Sequence, residues 1–89
     1  MNGDMTWGLV ITSPAKRGLR RASRSDRERI NEAFSAMCTE PFSGDTKLLR
    51  GTDGAYRRRV GDWRIFFELD EPRKLVVILA VKRRASNTY

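Results

Sequence analysis

Histidine is absent from this 89-residue chain, and cysteine occurs once, at Cys38. Without histidine a paired-histidine ribonuclease mechanism is excluded, and any proton transfer must use Tyr, Lys, Asp, Glu or a less usual group. The usual zinc ligand is missing too, and the acidic residues form no ligand-spaced group, so neither a metal nor a cofactor is expected. A lone cysteine cannot close an internal disulfide, which fits a reducing compartment. No apolar run is long enough to span a bilayer, and the N-terminal "MNGDMTWGLVITS" lacks the basic start and small-residue cleavage site of a secretory signal. These absences lead to the expectation of a cytoplasmic protein with no membrane partner.

What the chain has is positive charge. Eighteen Lys+Arg stand against eleven Asp+Glu, a formal +7 that draws the chain toward polyanions or an acidic protein partner. Residues 14–40 are net +3 and residues 56–89 net +5, separated by a neutral, turn-rich stretch, "PFSGDTKLLRGTDGA". A chain of this length is one domain, residues 1–89, with a single modest core.

Periodicity organises that domain. "TWGLVIT" (6–12) alternates as a first strand, with Trp7, Leu9 and Ile11 on one face. Ser13 and Pro14 then announce a helix as cap and first helical residue, with Ala15, Leu19 and Ala22 at helical spacing. A second helix opens at "SDRE", where Ser25 and Glu28 match a capping box. Its apolar stripe is Ile30, Ala33, Phe34, Met37 and Cys38, and Pro41 stops it. Residues 55–61, 63–70 and 74–83 change to a period of two and read as three sequential antiparallel strands. The "LVVILAV" of the last strand is apolar throughout, as a strand covered on both faces would be. The expected fold is α+β, in the order β-α-α-β-β-β, with two helices packed on one face of a four-stranded, mostly antiparallel sheet.

In "YRRRVGDWRIFF" (56–67) alternation puts Arg57 and Arg59 on one face and Tyr56, Arg58 and Val60 on the other. Trp63, Ile65, Phe67 and Leu69 have the phase of a core set, so Arg64, Phe66 and Glu68 point away from it. If Arg57 and Arg59 also face away from the helices, three guanidinium groups converge on the uncovered face, and Arg83 could add a fourth. An arginine-rich strand is ordinarily a solvated face. Arginine is also the residue suited to bidentate phosphate contact, and the closing "VKRRASNTY" brings Lys82, Arg83, Arg84 and Tyr89 toward the same sheet end. On the helices, Lys16, Arg20 and Arg24 belong to a basic series that either grips RNA phosphates or simply solvates a face.

The stretch "LRGTDGAYRRRVGDWRIFFELD", the apolar strand after it and the ending "VKRRASNTY" resemble the RelE/ParE family of bacterial toxin–antitoxin toxins. Leu49, Gly51, Gly54, Tyr56, Arg57, Arg59, Val60, Gly61, Asp62 and Arg64 carry the likeness, which spans nearly the whole chain. The resemblance implies a ribosome-dependent mRNA endonuclease that uses the RNA's own 2′-hydroxyl as nucleophile in the ribosomal A site. It also implies an antitoxin that covers the toxin in a hetero-oligomer. Carried over, Arg57 and Arg59 match basic positions of the catalytic strand and Arg64 the arginine after the aromatic of the next. Arg83 or Arg84 matches the arginine of the C-terminal segment, and Tyr89 the tyrosine that ends it. Arg58, Lys82, Arg84, Lys16, Arg20 and Arg24 would contact RNA. A tyrosine with the ordinary pKa of ~10 is a poor base at neutral pH, and neighbouring guanidinium charge would favour its phenolate. Glu68 is a second candidate base. The family also has a ParE branch known for poisoning DNA gyrase, and a non-enzymatic RNA-binding module is the remaining alternative.

Overall fold

The computed structural model describes residues 6–51 and 54–84. A first strand, β1 (Gly8–Ile11), leads into two helices, α1 (Ser13–Arg20) and α2 (Arg24–Thr39). Four strands follow: β2 (Asp45–Leu48), β3 (Ala55–Val60), β4 (Trp63–Asp70) and β5 (Leu75–Arg83). They form one sheet in the order β1-β5-β4-β3-β2, with β1 parallel to β5 and every other pair antiparallel. The α+β class and the helical pair are as expected from the sequence. The sheet, however, has five strands rather than four, because β2 lies inside the stretch read as a turn-rich connection. Its four residues, DTKL, are too few for periodicity to stand out between Gly44 and Gly51.

Both helices begin one or two residues earlier in the cap than the sequence suggested. Thr12, not Ser13, caps α1: its Oγ1 accepts from the Ala15 N–H at 3.4 Å, and Pro14 falls in the first turn, where its missing N–H costs nothing. Thr12 also donates to the Ile78 carbonyl at 2.8 Å, so the cap pins the helix start to β5. Ser23, not Ser25, caps α2 by accepting from the Asp26 N–H at 3.1 Å. Ser25 is already inside the helix, and Glu28 pairs with Arg24 at 3.8 Å instead of closing a box. Because Thr12 serves both a helix cap and a strand carbonyl, Thr12→Val is expected to cost about 1–2 kcal/mol. Chemical denaturation with an unchanged m-value would show it, and a midpoint equal to that of the parent protein would dismiss the double role.

The core lies between the helices and one face of the sheet. Ile30, Ala33, Phe34 and Met37 of α2 and Ala15 of α1 pack with Trp63, Ile65, Phe67, Val76, Ile78 and Val81. Burial of each large side chain contributes about 1.5–3 kcal/mol, which is what holds the helical layer on. Trp63 is buried in this core and its indole N–H donates to Asp26 at 3.0 Å, as its phase with Ile65 and Phe67 suggests. Cys38 is buried as well, and burial pushes its thiol pKa up, away from reactivity.

Among the described residues, no helix covers the opposite face of the sheet. The apolar run of β5 is therefore not sheathed on both sides: Val76, Ile78 and Val81 are buried, while Leu75, Val77, Leu79 and Ala80 are half-buried. A β-bulge explains the irregular spacing. Phe67 pairs with Ile78 but Phe66 with Ala80, so Leu79 is an extra residue that advances the alternation by one.

Candidate anion-binding face

Directly opposed residues on neighbouring strands share a face, so the register fixes which side chains meet on the uncovered side. Asp45 of β2 lies opposite Arg59 of β3, Arg59 opposite Arg64 of β4, and Arg64 opposite Lys82 of β5. The adjacent row runs Lys47, Arg57, Phe66, Ala80. Val60 and Trp63, also opposed, flank the tight Gly61–Asp62 turn, where Gly61 adopts φ +58°. That two-residue connection sets the register and hence the meeting of Arg59 with Arg64.

Five cations and one carboxylate thus occupy two short rows at one end of the open face. Beyond the bulge β1 and β5 bring apolar side chains to this face, Val10 opposite Val77 with Leu75 nearby, while β4 adds Glu68 opposite Val77. Arg57 is the most enclosed of the cationic side chains with a known partner, at 11% exposure, and its Nη1 lies 3.6 Å from Asp45. Arg59 Nε lies 4.0 Å from the same carboxylate. Both separations exceed the ~2.7–2.9 Å of a charge-assisted hydrogen bond. Accordingly Arg57 Nη1, Arg59 Nε and Arg64 Nε are buried donors with no hydrogen-bond acceptor among the described residues. Buried donors are rarely left unsatisfied, since each costs about 1–3 kcal/mol, and a clustered set of them describes a site shaped for an anion.

The structure therefore brings Arg57, Arg59, Arg64 and Lys82 together and adds Asp45 and Lys47, which the sequence reading missed with their strand. No local signal marks those two, since DTKL is polar at three successive positions before Leu48. Arg58 is not in the cluster. It opposes Ile65 on the helix side, donates to Ser43 at 3.2 Å and packs so closely on Gly44 that a Cβ there would approach its Nε to 2.5 Å. Burial lowers the Arg58 pKa from its ordinary value, with the charge of Asp45 acting in the opposite sense.

Arg83 is a correction to the expected fourth guanidinium. The bulge reverses its phase, so it opposes Trp63 on the helix side and lines a cavity of about 440 Å³ with Arg21, Val81 and Lys82. Lys82 takes the place opposite Arg64 instead. Arg84 is exposed just past β5, its N–H donating to the Asp62 carbonyl at 2.6 Å. Lys16, Arg20 and Arg24 are exposed on the helical layer, away from the cluster. Glu68 is exposed on the open face opposite Ala55 and Val77, one row beyond Arg57. Tyr89 lies outside the described residues.

Fold and site together define a class of small α+β proteins in which two helices back a mixed sheet with a cationic free face. The chain belongs to the ParE toxin family of type II toxin–antitoxin systems, whose model matches residues 9–88. Solved structures agree. The archaeal RelE–RelB complex of Pyrococcus horikoshii superposes with a TM-score of 0.81 at 26% identity, covering 93% of this chain and 100% of that one. A chain of the RelBE2 toxin–antitoxin complex of Mycobacterium tuberculosis gives 0.79 at 28% identity, covering 89% and 99%. The isolated Escherichia coli RelE toxin gives 0.79 at 16% identity, covering 91% and 87%, a likeness of fold. No curated protein matches the sequence.

Proposed function

We propose that this toxin is a ribosome-dependent mRNA endonuclease whose cationic sheet face clasps the scissile phosphate. The observation that carries the reading is the convergence of Arg57, Arg59, Arg64 and Lys82, three of them with buried donors unmet among the described residues. In the reaction the RNA 2′-oxygen attacks the adjacent phosphorus and gives up its proton. The bond to the 5′-oxygen breaks, and that oxygen takes a proton. The products are a 2′,3′-cyclic phosphate and a 5′-hydroxyl. Charge builds on the non-bridging oxygens as the fifth bond forms, and fixed guanidinium donors aimed there stabilise the transition state more than the ground state. Arg57, Arg59 and Arg64 fill that role, with Lys82 holding a flanking phosphate. Arg83 and Arg84, with Lys16, Arg20 and Arg24, would meet RNA on other faces, and Tyr89 or Glu68 would carry a proton.

An antitoxin is the expected cytoplasmic partner, as in the RelE–RelB complexes this chain is similar to. Both halves of the open face suit it: acidic groups would satisfy the arginines, and apolar ones would cover Val10, Leu75 and Val77. Among the described residues, no helix is long and apolar enough to cross a membrane.

The family-model match favours a second reading, a gyrase poison on the same scaffold. Purified protein added to ribosomes programmed with a defined mRNA separates the two. The nuclease reading expects cuts ending in 2′,3′-cyclic phosphate only when ribosomes are present. Intact mRNA together with gyrase trapped on cleaved DNA would replace it with the second reading, and neither result would leave an RNA-binding module.

A further inference from the structure

Within the two cationic rows of the open face stands one carboxylate, with Glu68 one row beyond them. Asp45 faces both Arg57 and Arg59 at separations too long for hydrogen bonds, half-exposed, on the edge strand that borders the cluster. A carboxylate placed to stabilise the fold would sit closer and satisfy the donors it faces. This one leaves Arg57 Nη1 and Arg59 Nε without an acceptor among the described residues. We propose that Asp45 is a built-in counter-anion: it occupies the electrostatic position of a phosphate, weakly enough that a well-placed phosphate displaces it. The inference rests on the phosphate-clasp reading above and adds to it a control on affinity.

The reason for such a device follows from net charge. A chain at +7 attracts any polyanion, and nonspecific RNA binding grows with every cation free to replace a condensed counterion. A carboxylate between two of the arginines cancels about one unit of that nonspecific attraction. It also keeps two neighbouring guanidinium groups from repelling each other before substrate arrives. Only a phosphate that reaches the unmet donors at hydrogen-bonding distance gains enough to displace it, so the site favours positioned RNA over passing RNA.

The test uses the full chain, an octauridylate RNA probe, and Asp45→Asn, which keeps shape and removes charge. Glu71→Gln in the β4–β5 turn makes the same change in net charge at the far end of β4. Asp45→Asn is expected to bind the probe about fivefold more tightly at 50 mM salt, with a log-affinity against log-salt slope steeper by about 0.7. Glu71→Gln should stay within about twofold of the parent protein, and Asp45→Ser should follow Asp45→Asn. Equal gains in the Asn and Gln variants, or weaker binding by Asp45→Asn, would overturn the proposal. So would tighter binding accompanied by lost cleavage of ribosome-bound mRNA, because the carboxylate would then be taking the proton. If the parent protein leaves that mRNA uncut, the nuclease reading fails, while the binding contrast still decides the role of Asp45.

Discussion

Arg64→Ala is expected to lower cleavage of ribosome-bound mRNA by about 100-fold or more while leaving the folded state as stable as before, or slightly more so. The kinetic half follows from position. Arg64 lies between Arg59 and Lys82 in the cationic row, with a buried Nε that finds no acceptor among the described residues. Removing one preorganised donor of this kind from a site where negative charge develops costs about 10²–10³ in rate. The stability half follows from the same register. Like charges directly opposite across strands are destabilising by about 0.2–1 kcal/mol, and Arg64 has one on each side. Losing it removes both repulsions and an unmet buried donor, and loses only part of an aliphatic stem. A residue that served the fold would show the reverse pattern, a lower melting temperature with activity falling only as the folded fraction falls. Single-turnover cleavage and a thermal melt at 50 mM salt read the two halves separately. A lowered melting temperature with near-normal cleavage per folded molecule would remove Arg64 from the site.

The same row shows how far sequence reasoning reaches. Alternation alone separates Arg57 and Arg59 from Arg58, and sets Trp63, Ile65 and Phe67 against Arg64, because a strand anchored by three core side chains has only one phase available. Periodicity carried the α+β fold, and the resemblance to RelE/ParE toxins carried the family. Two local features stayed hidden for definite reasons. A β-bulge is a single extra residue, and Leu79 sits in an uninterrupted apolar run where no polar residue marks the slip, so Arg83 seemed to share the face that Lys82 occupies. The strand β2 is four residues long, and its pairing with β3 depends on a Gly44 turn at φ +70° that seats Arg58, a tertiary contact with no local signature. Asp45 became visible only with that strand. What escaped was the edge of the cationic face rather than its centre.

The second large effect is on stability and runs against helix propensity. Gly18 lies inside α1, where alanine would ordinarily gain about 1 kcal/mol. Here α1 seats so closely on β5 that a Cβ on Gly18 would fall within van der Waals contact of the Val81 carbonyl oxygen and 2.9 Å from its carbon. Both atoms are backbone, held by the pairing of Val81 with Ile65, so no side chain can swing aside. Nor can the helix simply lift, because Thr12 at its start is bonded to the Ile78 carbonyl through both N–H, at 3.1 Å, and Oγ1, at 2.8 Å. Overpacking against a fixed wall costs about 1–3 kcal/mol and sometimes more, enough to exceed the propensity gain. Gly18→Ala is therefore expected to destabilise the protein by about 2 kcal/mol, a fall of roughly 8–16 °C in melting temperature for a domain of this size. Lys16→Ala, on the exposed side of the same helix, should shift stability by less than about 0.5 kcal/mol. The loss in Gly18→Ala would extend to the site, since Val81 directly precedes Lys82 and a displaced α1 shifts the strand end that carries it into the cationic row. A Gly18→Ala protein that melts at or above the parent temperature would show that helix and strand are not in such close contact, and that Lys82 is positioned by the sheet alone.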